Sequence, residues 1–209
     1  MNALDLHTHR WEPAAQSGLP AILLLHGTGG DESDLLPLGR SLAPGSALLS
    51  VRGNVLEHGA PRFFRRLAEG IFDMQDLHRR TTELGDFLEA ASAAYGFDAS
   101  TLFAVGYSNG ANVAASLLLA RPAALAGGVL YRAMVPFEPE STPVLAGKRV
   151  LLSAGRLDQM IPAAGTERLA SILRDAGAAV ELEWQAASHG LVAGDLRAGE
   201  LFFARPAGG

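Results

Sequence analysis

The sequence predicts an α/β fold: one domain over 1–209, built on a doubly wound, mostly parallel sheet of about seven strands. Three observations predict it. Short apolar runs alternate with longer helical patterns through most of the 209 residues. Most of those runs are near-continuously apolar, which suits strands covered by helices on both faces. No repeat, linker or low-complexity segment interrupts the alternation.

The elements follow in chain order. ALDLHTHRW (3–11) alternates, with Leu4, Leu6 and Thr8 on one side, and is predicted as an edge strand. AILLLH (21–26) is a buried strand. A helix is expected over 31–43, opened by Asp31 as N-cap and carrying Pro37 inside it. SALLSV (46–51) is the third strand, and the stretch 52–72 reads as a pocket wall. A helix over 73–95 sets Leu77, Leu84, Leu88 and Ala91 near one face. The strand TLFAVGY (101–107) leads into a helix over 109–121, which stops at Arg121 before Pro122. GGVLYRA (127–133) and RVLLSA (149–154) are strands. A helix over 162–176 starts with Pro162 and ends before Gly177, the usual asymmetry of helix ends. VELEWQA (180–186) is the last strand, followed by a short helix through 193–204.

Composition narrows the function classes. Hydrophobic residues make up 48% and charged residues 19%, as in ordinary globular chains. The net charge of −5 offers no basic footprint for nucleic acid. The Arg pairs at 65–66 and 79–80 read as solvated or locally paired. With no cysteine, disulfides and thiolate metal sites are excluded, and a reducing cytoplasm is the expected location. The opening MNALDLHTHRWEP lacks the charged-then-apolar order of a signal peptide. The longest apolar runs, AILLL and VAASLLLA, fall far below the ~18 residues of a membrane span, so no stable membrane insertion is expected.

The chemistry is carried by residues 104–112, AVGYSNGAN. With 24 glycines in the chain, a bare G-x-S-x-G match carries a false-positive risk, and context has to decide. Here the match lies where a buried strand meets a helix of small residues, the context a nucleophile elbow requires. Ser108 is the candidate nucleophile. A serine hydroxyl needs a base, and the base needs an orienting acid. GRLDQMIP, after one later strand, supplies Asp158; ASHGL, after the next, supplies His189. Asp175, Asp195 and Glu181 are the fallback acids. Among the other histidines, His7 and His9 form a conceivable metal pair with no third ligand in view. His26 is expected to shape the next loop, His58 could line a pocket, and His78 reads as solvated. Acyl transfer also needs oxyanion donors. The backbone N–H of Asn109 is one, and that of Thr28, in the Gly-rich HGTGGDESD, is the other, with Gly29 as its alternative. The Gly-rich loop lacks the Gly-Lys-Ser/Thr ending of a phosphate loop, so no nucleotide is expected.

HGTGGDESD, GYSNGAN, GRLDQMIP and ASHGL, in this order and in a chain this short, resemble the phospholipase/carboxylesterase family of α/β-hydrolases, which includes acyl-protein thioesterases and small bacterial carboxylesterases. The resemblance implies a triad of Ser108, Asp158 and His189, oxyanion donors at Thr28 and Asn109, and no cofactor or metal. It implies hydrolysis of a small-molecule carboxylic ester, or a thioester, of short-to-medium acyl chain. The alternatives are a lysophospholipase or acyl-protein thioesterase, and, in another class, a hydrolase-fold binding protein without chemistry. Dienelactone hydrolysis is a runner-up whose usual nucleophile is Cys. Asn109 stands where the thioesterase branch often has Gln, and RGNVLEHGAPRFFRR (52–66) looks more like the bacterial carboxylesterase branch. Such hydrolases carry lids in the gap filled here by MVPFEPESTPVLAGK (134–148), which is too short for a domain. Phe63, Phe64, Phe72, Met160, Ile161 and Leu191 are acyl-pocket or core candidates alike. Arg62 and Arg65 read as exposed, with contact to an acidic substrate group as the alternative. Apolar side chains of 52–72 would serve a homodimer as well as a pocket.

Overall fold

The computed structural model describes residues 3–205. Seven strands form the central sheet: β1 (His9–Glu12), β2 (Ile22–Leu25), β3 (Leu48–Val51), β8 (Phe103–Tyr107), β9 (Gly127–Tyr131), β10 (Arg149–Gly155) and β11 (Ala179–Gln185). Their order across the sheet is β1-β3-β2-β8-β9-β10-β11. Only β1 runs antiparallel to its neighbour; every other pair is parallel. The carboxyl ends of β2, β8, β10 and β11 therefore open on one edge.

Helices cover both faces. In β2, Leu23 and Leu25 point into the larger core with Leu84, Phe87, Leu117 and Leu169. Ile22 and Leu24 point the other way, among Leu36, Leu42, Val105 and Phe202. All four β2 side chains are fully buried, which is why the run shows no polar alternation. The first core receives α2 (Met74–Tyr95), α3 (Asn109–Ala120) and α4 (Ala163–Asp175); the second receives α1 (Leu36–Leu42) and α5 (Ala193–Ala204). Helix α2 starts where the Asp73 carboxylate accepts the Asp76 N–H and ends at Gly96, whose φ of 73° a side chain would resist. This is the α/β-hydrolase fold. Among the described residues no large lid covers the sheet edge, and no helix is long and apolar enough to cross a membrane.

Two local expectations need correction. The first strand does not fill 3–11: Ala3–Leu6 form a 3-10 turn against α2, and pairing begins at His9. Strand β3 offers only four residues for pairing, so the alternation of Leu4 and Leu6 is used in a turn instead. The helix expected over 31–43 begins at Leu36. Pro37 fits only the first turn of a helix, and Asp31 accepts the Ser33 N–H in a tight turn rather than capping. The stretch 52–72 does wall the cleft, through Arg62, Arg66, Glu69, Gly70 and Phe72, and it folds as two ribbons, β4 (Val55–Glu57) with β5 (Ala60–Arg62) and β6 (Arg66–Ala68) with β7 (Ile71–Phe72). His58 and Gly59 both take positive φ in the first hairpin turn, as a two-residue turn between twisted strands demands.

Candidate active site

Ser108 sits between β8 and α3 with φ 52° and ψ −114°, outside the regions that side-chain-bearing residues prefer. Two contacts hold it there: its N–H donates to Tyr131 O at 2.9 Å, and its carbonyl accepts the Asn112 N–H at 2.9 Å. The flanking glycines are steric necessities. A Cβ on Gly110 would stand 2.0 Å from Leu25 O, and one on Gly106 would stand 2.7 Å from the Ala111 backbone.

The loops after β10 and β11 bring the other two groups to this point. His189 Nε2 lies 2.9 Å from Ser108 Oγ, and its Nδ1 lies 2.8 Å from Asp158 Oδ2. A carboxylate can only accept, so Nδ1 carries the proton and Nε2 is free to take one from Ser108. Asp158 is fixed in turn: its Oδ1 accepts the Met160 N–H at 2.9 Å and the Ile161 N–H at 3.2 Å. Its carboxyl is almost fully covered, while the imidazole keeps partial exposure toward the cleft. The acid and base loops are laced together by Arg156 N–H to Gln185 O and Leu157 N–H to Ala187 O. The fallback acids are engaged elsewhere: Asp195 with Arg132, Glu181 with Arg205, and Asp175 near Ser171 Oγ.

The loop after β2 rests on the β4–β5 ribbon beside Ser108. The Gly29 N–H already donates to Pro61 O at 2.9 Å, whereas the Thr28 N–H has no acceptor among the described residues. The Asn109 amide opens α3, where the first N–H groups have no helical acceptor. The Asn109 side chain accepts the Phe63 N–H at 2.7 Å and so ties the elbow to the ribbon. His26, buried under the loop, accepts the Gly53 N–H at 2.9 Å on Nε2 and donates from Nδ1 to Gly27 O at 2.6 Å. Burial pushes its pKa down, so the ring is held neutral.

A cleft of about 50 Å³ opens beside Ser108, lined among others by Thr28, Arg62, Phe72, Asn112, Met160 and Ile161. Of the apolar candidates, Phe72, Met160 and Ile161 line it, whereas Phe63 and Phe64 are core and Leu191 packs on the second core. The expectation for Arg62 is corrected. Only 3% of it is exposed, and it donates to Thr28 Oγ1 at 2.5 Å and Phe64 O at 3.2 Å beside Glu57. Arg62 can be buried because these acceptors satisfy it; desolvation nonetheless lowers its pKa. Arg65 is exposed and pairs with Asp73. His58 does not line the cleft, and His78 is exposed against Phe137. His7 and His9 flank Phe87, and among the described residues no group of three ligands could hold a metal.

Sequence reasoning passed over Arg132. It follows β9 with φ 57°, its side chain fully buried, and meets Asp195 through two 2.8 Å contacts. The signal was present in GGVLYRA, where a charge interrupts an apolar run.

Comparison with known proteins places these residues in context. The model of the dienelactone hydrolase family matches residues 12–199. MhqD of Bacillus subtilis (strain 168) is 49% identical over 81% of this chain and 85% of its own length. The Bacillus cereus carboxylesterase structure superposes with a TM-score of 0.92 at 47% identity, covering 94% of this chain and 93% of that one. A carboxylesterase from Mesorhizobium loti gives 0.90 at 28% identity, covering 96% of both chains.

Proposed function

The chain belongs to the dienelactone hydrolase family, and from that premise we propose that it is a serine hydrolase cleaving carboxylic esters of short-to-medium acyl chain through an acyl-enzyme. The observation that carries the reading is the continuous hydrogen-bonded line from Ser108 through His189 to Asp158. The serine at the elbow replaces the cysteine usual in dienelactone hydrolysis, and two of the similar structures are named carboxylesterases.

In this reading Ser108 Oγ attacks the ester carbonyl while His189 Nε2 takes its proton. Asp158 holds the ring in the tautomer that leaves Nε2 open and stabilises the imidazolium that forms. The Thr28 and Asn109 N–H groups meet the oxyanion, aided by the positive end of α3. His189 returns the proton to the departing alcohol. Water, activated by the same ring, then releases the acid. The cleft has room for roughly three to five waters, which favours small acyl groups against Phe72, Met160 and Ile161.

The test is Ser108→Ala against p-nitrophenyl acetate and butyrate, with fluorophosphonate labelling of the wild type. The expected result is labelling at Ser108 and a loss of roughly 10⁴-fold or more in kcat for the variant. Turnover retained in a folded Ser108→Ala protein rejects the reading.

A further inference from the structure

We propose that Arg132, together with Tyr107, is the positioning residue of the general base: the two side chains hold the His189 loop by three successive carbonyls. The proposal rests on the esterase reading for its kinetic consequence, but its structural content can be tested without turnover.

The loop Ser188-His189-Gly190 has no regular structure of its own. Its carbonyls are nevertheless all engaged, and by side chains from other strand ends. Ser188 O accepts from Arg132 Nε at 3.2 Å, His189 O from the Tyr107 hydroxyl at 3.2 Å, and Gly190 O from Arg132 Nη2 at 2.9 Å. Tyr107 ends β8 and immediately precedes Ser108; Arg132 immediately follows β9. Nucleophile and base loop are thus referenced to the same two strand ends. Tyr131, next to Arg132, also holds the Ser108 N–H.

The remaining donors of Arg132 explain how a full charge is kept there. Nη1 donates to Ser153 O at 3.0 Å and to Asp195 Oδ1 at 2.8 Å, and Nη2 donates to Asp195 Oδ2 at 2.8 Å. All five guanidinium N–H groups therefore have acceptors. Asp195 is completed by the Ser153 hydroxyl at 2.6 Å and the Val192 N–H at 2.8 Å. A buried ion pair is a weak device for stability alone, and a positive φ is uncommon for so large a side chain. What this pair has that an apolar replacement lacks is a rigid fork whose two outer donors reach the carbonyls on either side of the general base. Asp195 neutralises the charge, so the action on His189 is geometric.

Two variants test the assignment. Arg132→Lys keeps a positive charge against Asp195 but has a single ammonium, which cannot reach both flanking carbonyls. Tyr107→Phe removes one hydroxyl only. In each folded variant, judged by circular dichroism and a cooperative melt, two readouts are taken: steady-state kinetics, and the low-field proton resonance of His189 Nδ1–H in its bond to Asp158. The expected result for Arg132→Lys is a loss of about 30-fold in kcat with KM changed less than about 2-fold. Its low-field resonance broadens or disappears. Tyr107→Phe shows the same split at about 5-fold. A folded Arg132→Lys protein with the wild-type resonance overturns the proposal, because a purely structural pair would lower the melting temperature alone. Should Arg132→Lys not fold, Tyr107→Phe decides by the same criterion. If the wild type neither turns over esters nor labels at Ser108, the esterase reading fails, and the resonance comparison still decides the positioning role.

Discussion

The two edges of the central sheet carry cavities of opposite character. At the amino ends of the strands lies a groove of about 1070 Å³ lined by Trp11, Tyr95, Phe97, Phe103, Phe202 and Phe203 among others. At the carboxyl ends lies the cleft of about 50 Å³ beside Ser108. Rings meeting rings hold the large one: Trp11 stacks on Tyr95 at 4.9 Å and on Phe97 at 5.5 Å, and Phe203 meets Phe202 edge-on at 5.2 Å. Arg149, one of two arginines lining it, rests over the Phe202 ring and donates to the Phe202 and Arg205 carbonyls. Side chains binding backbone hold the small one: His26 to Gly53, Asn109 to Phe63, Arg62 to Phe64, Arg132 to Ser188 and Gly190. The contrast teaches that cavity size does not locate chemistry. In a parallel sheet the carboxyl ends deliver loops from several strands to one edge, and reactivity follows from polar groups converging there.

If that contrast is right, disturbing a side-chain-to-backbone tie at the carboxyl edge costs turnover. Arg62→Met removes the tie to Phe64 O and the contact to Thr28 Oγ1, and with them support for the loop that carries the proposed oxyanion donor. A fall of about 10- to 100-fold in kcat is expected, with KM changed less. Glu57 keeps Arg66 as a partner, so the carboxylate is not left uncompensated. The check is kcat on p-nitrophenyl butyrate beside the rate of fluorophosphonate labelling. An unchanged kcat would mean that Thr28 is held by the Gly29–Pro61 contact alone.

The next effect is smaller and appears as pH-dependent stability. Burial lowers the pKa of His26 and of His7 below the ordinary 6.5. The unfolded chain therefore takes up these protons first as pH falls. Stability is full above about pH 6.5 and declines below it, until the folded rings protonate too. Each ring contributes at most about 1.4 kcal/mol per pH unit in that window. Protonated His26 would also turn an N–H toward the Gly53 N–H. Denaturant melts from pH 7.5 to 5 should show the decline, and His26→Gln, whose Oε1 can accept from Gly53, should make it shallower. An identical slope in the variant would assign the whole effect elsewhere.

The sequence shows some of this edge and hides the rest for a physical reason. Ser108 and Asp158 are legible because each follows an apolar run at a strand's carboxyl end, His189 because it follows the alternating run VELEWQA, and topology then gathers them. Residues 21–26, 101–107 and 149–154 are legible as strands because both faces are buried, so the run itself is the signal. Arg62 and the hairpins of 52–72 are not legible, and of Arg132 only the charge that interrupts GGVLYRA is, not its partners. Whether an arginine is buried depends on acceptors such as Ser188 O and Asp195, 56 and 63 residues away, and no local period encodes them. Short ribbons such as β6 and β7, with three and two residues, are too brief to show alternation. The turn at 3–6 was hidden for the opposite reason: alternation was present but was met by packing on α2 instead of pairing.

The smallest expected effect on catalysis lies at the amino edge, and it is the sharpest test of the contrast. Trp11→Ala removes the ring stacked between Tyr95 and Phe97 on the edge strand. Partial exposure of Trp11 should keep the cost nearer about 2 kcal/mol than the larger values of a sealed core. The melting temperature should fall accordingly, while kcat and labelling of Ser108 stay within about 2-fold, since sites without shared partners behave independently. The inner strands β2, β3 and β9 are buried throughout, so they form a rigid body that passes on stability without passing on geometry. A drop in kcat well below the melting transition would show that strain at the aromatic groove reaches the elbow through β8, and the two edges would then have to be treated as one coupled unit.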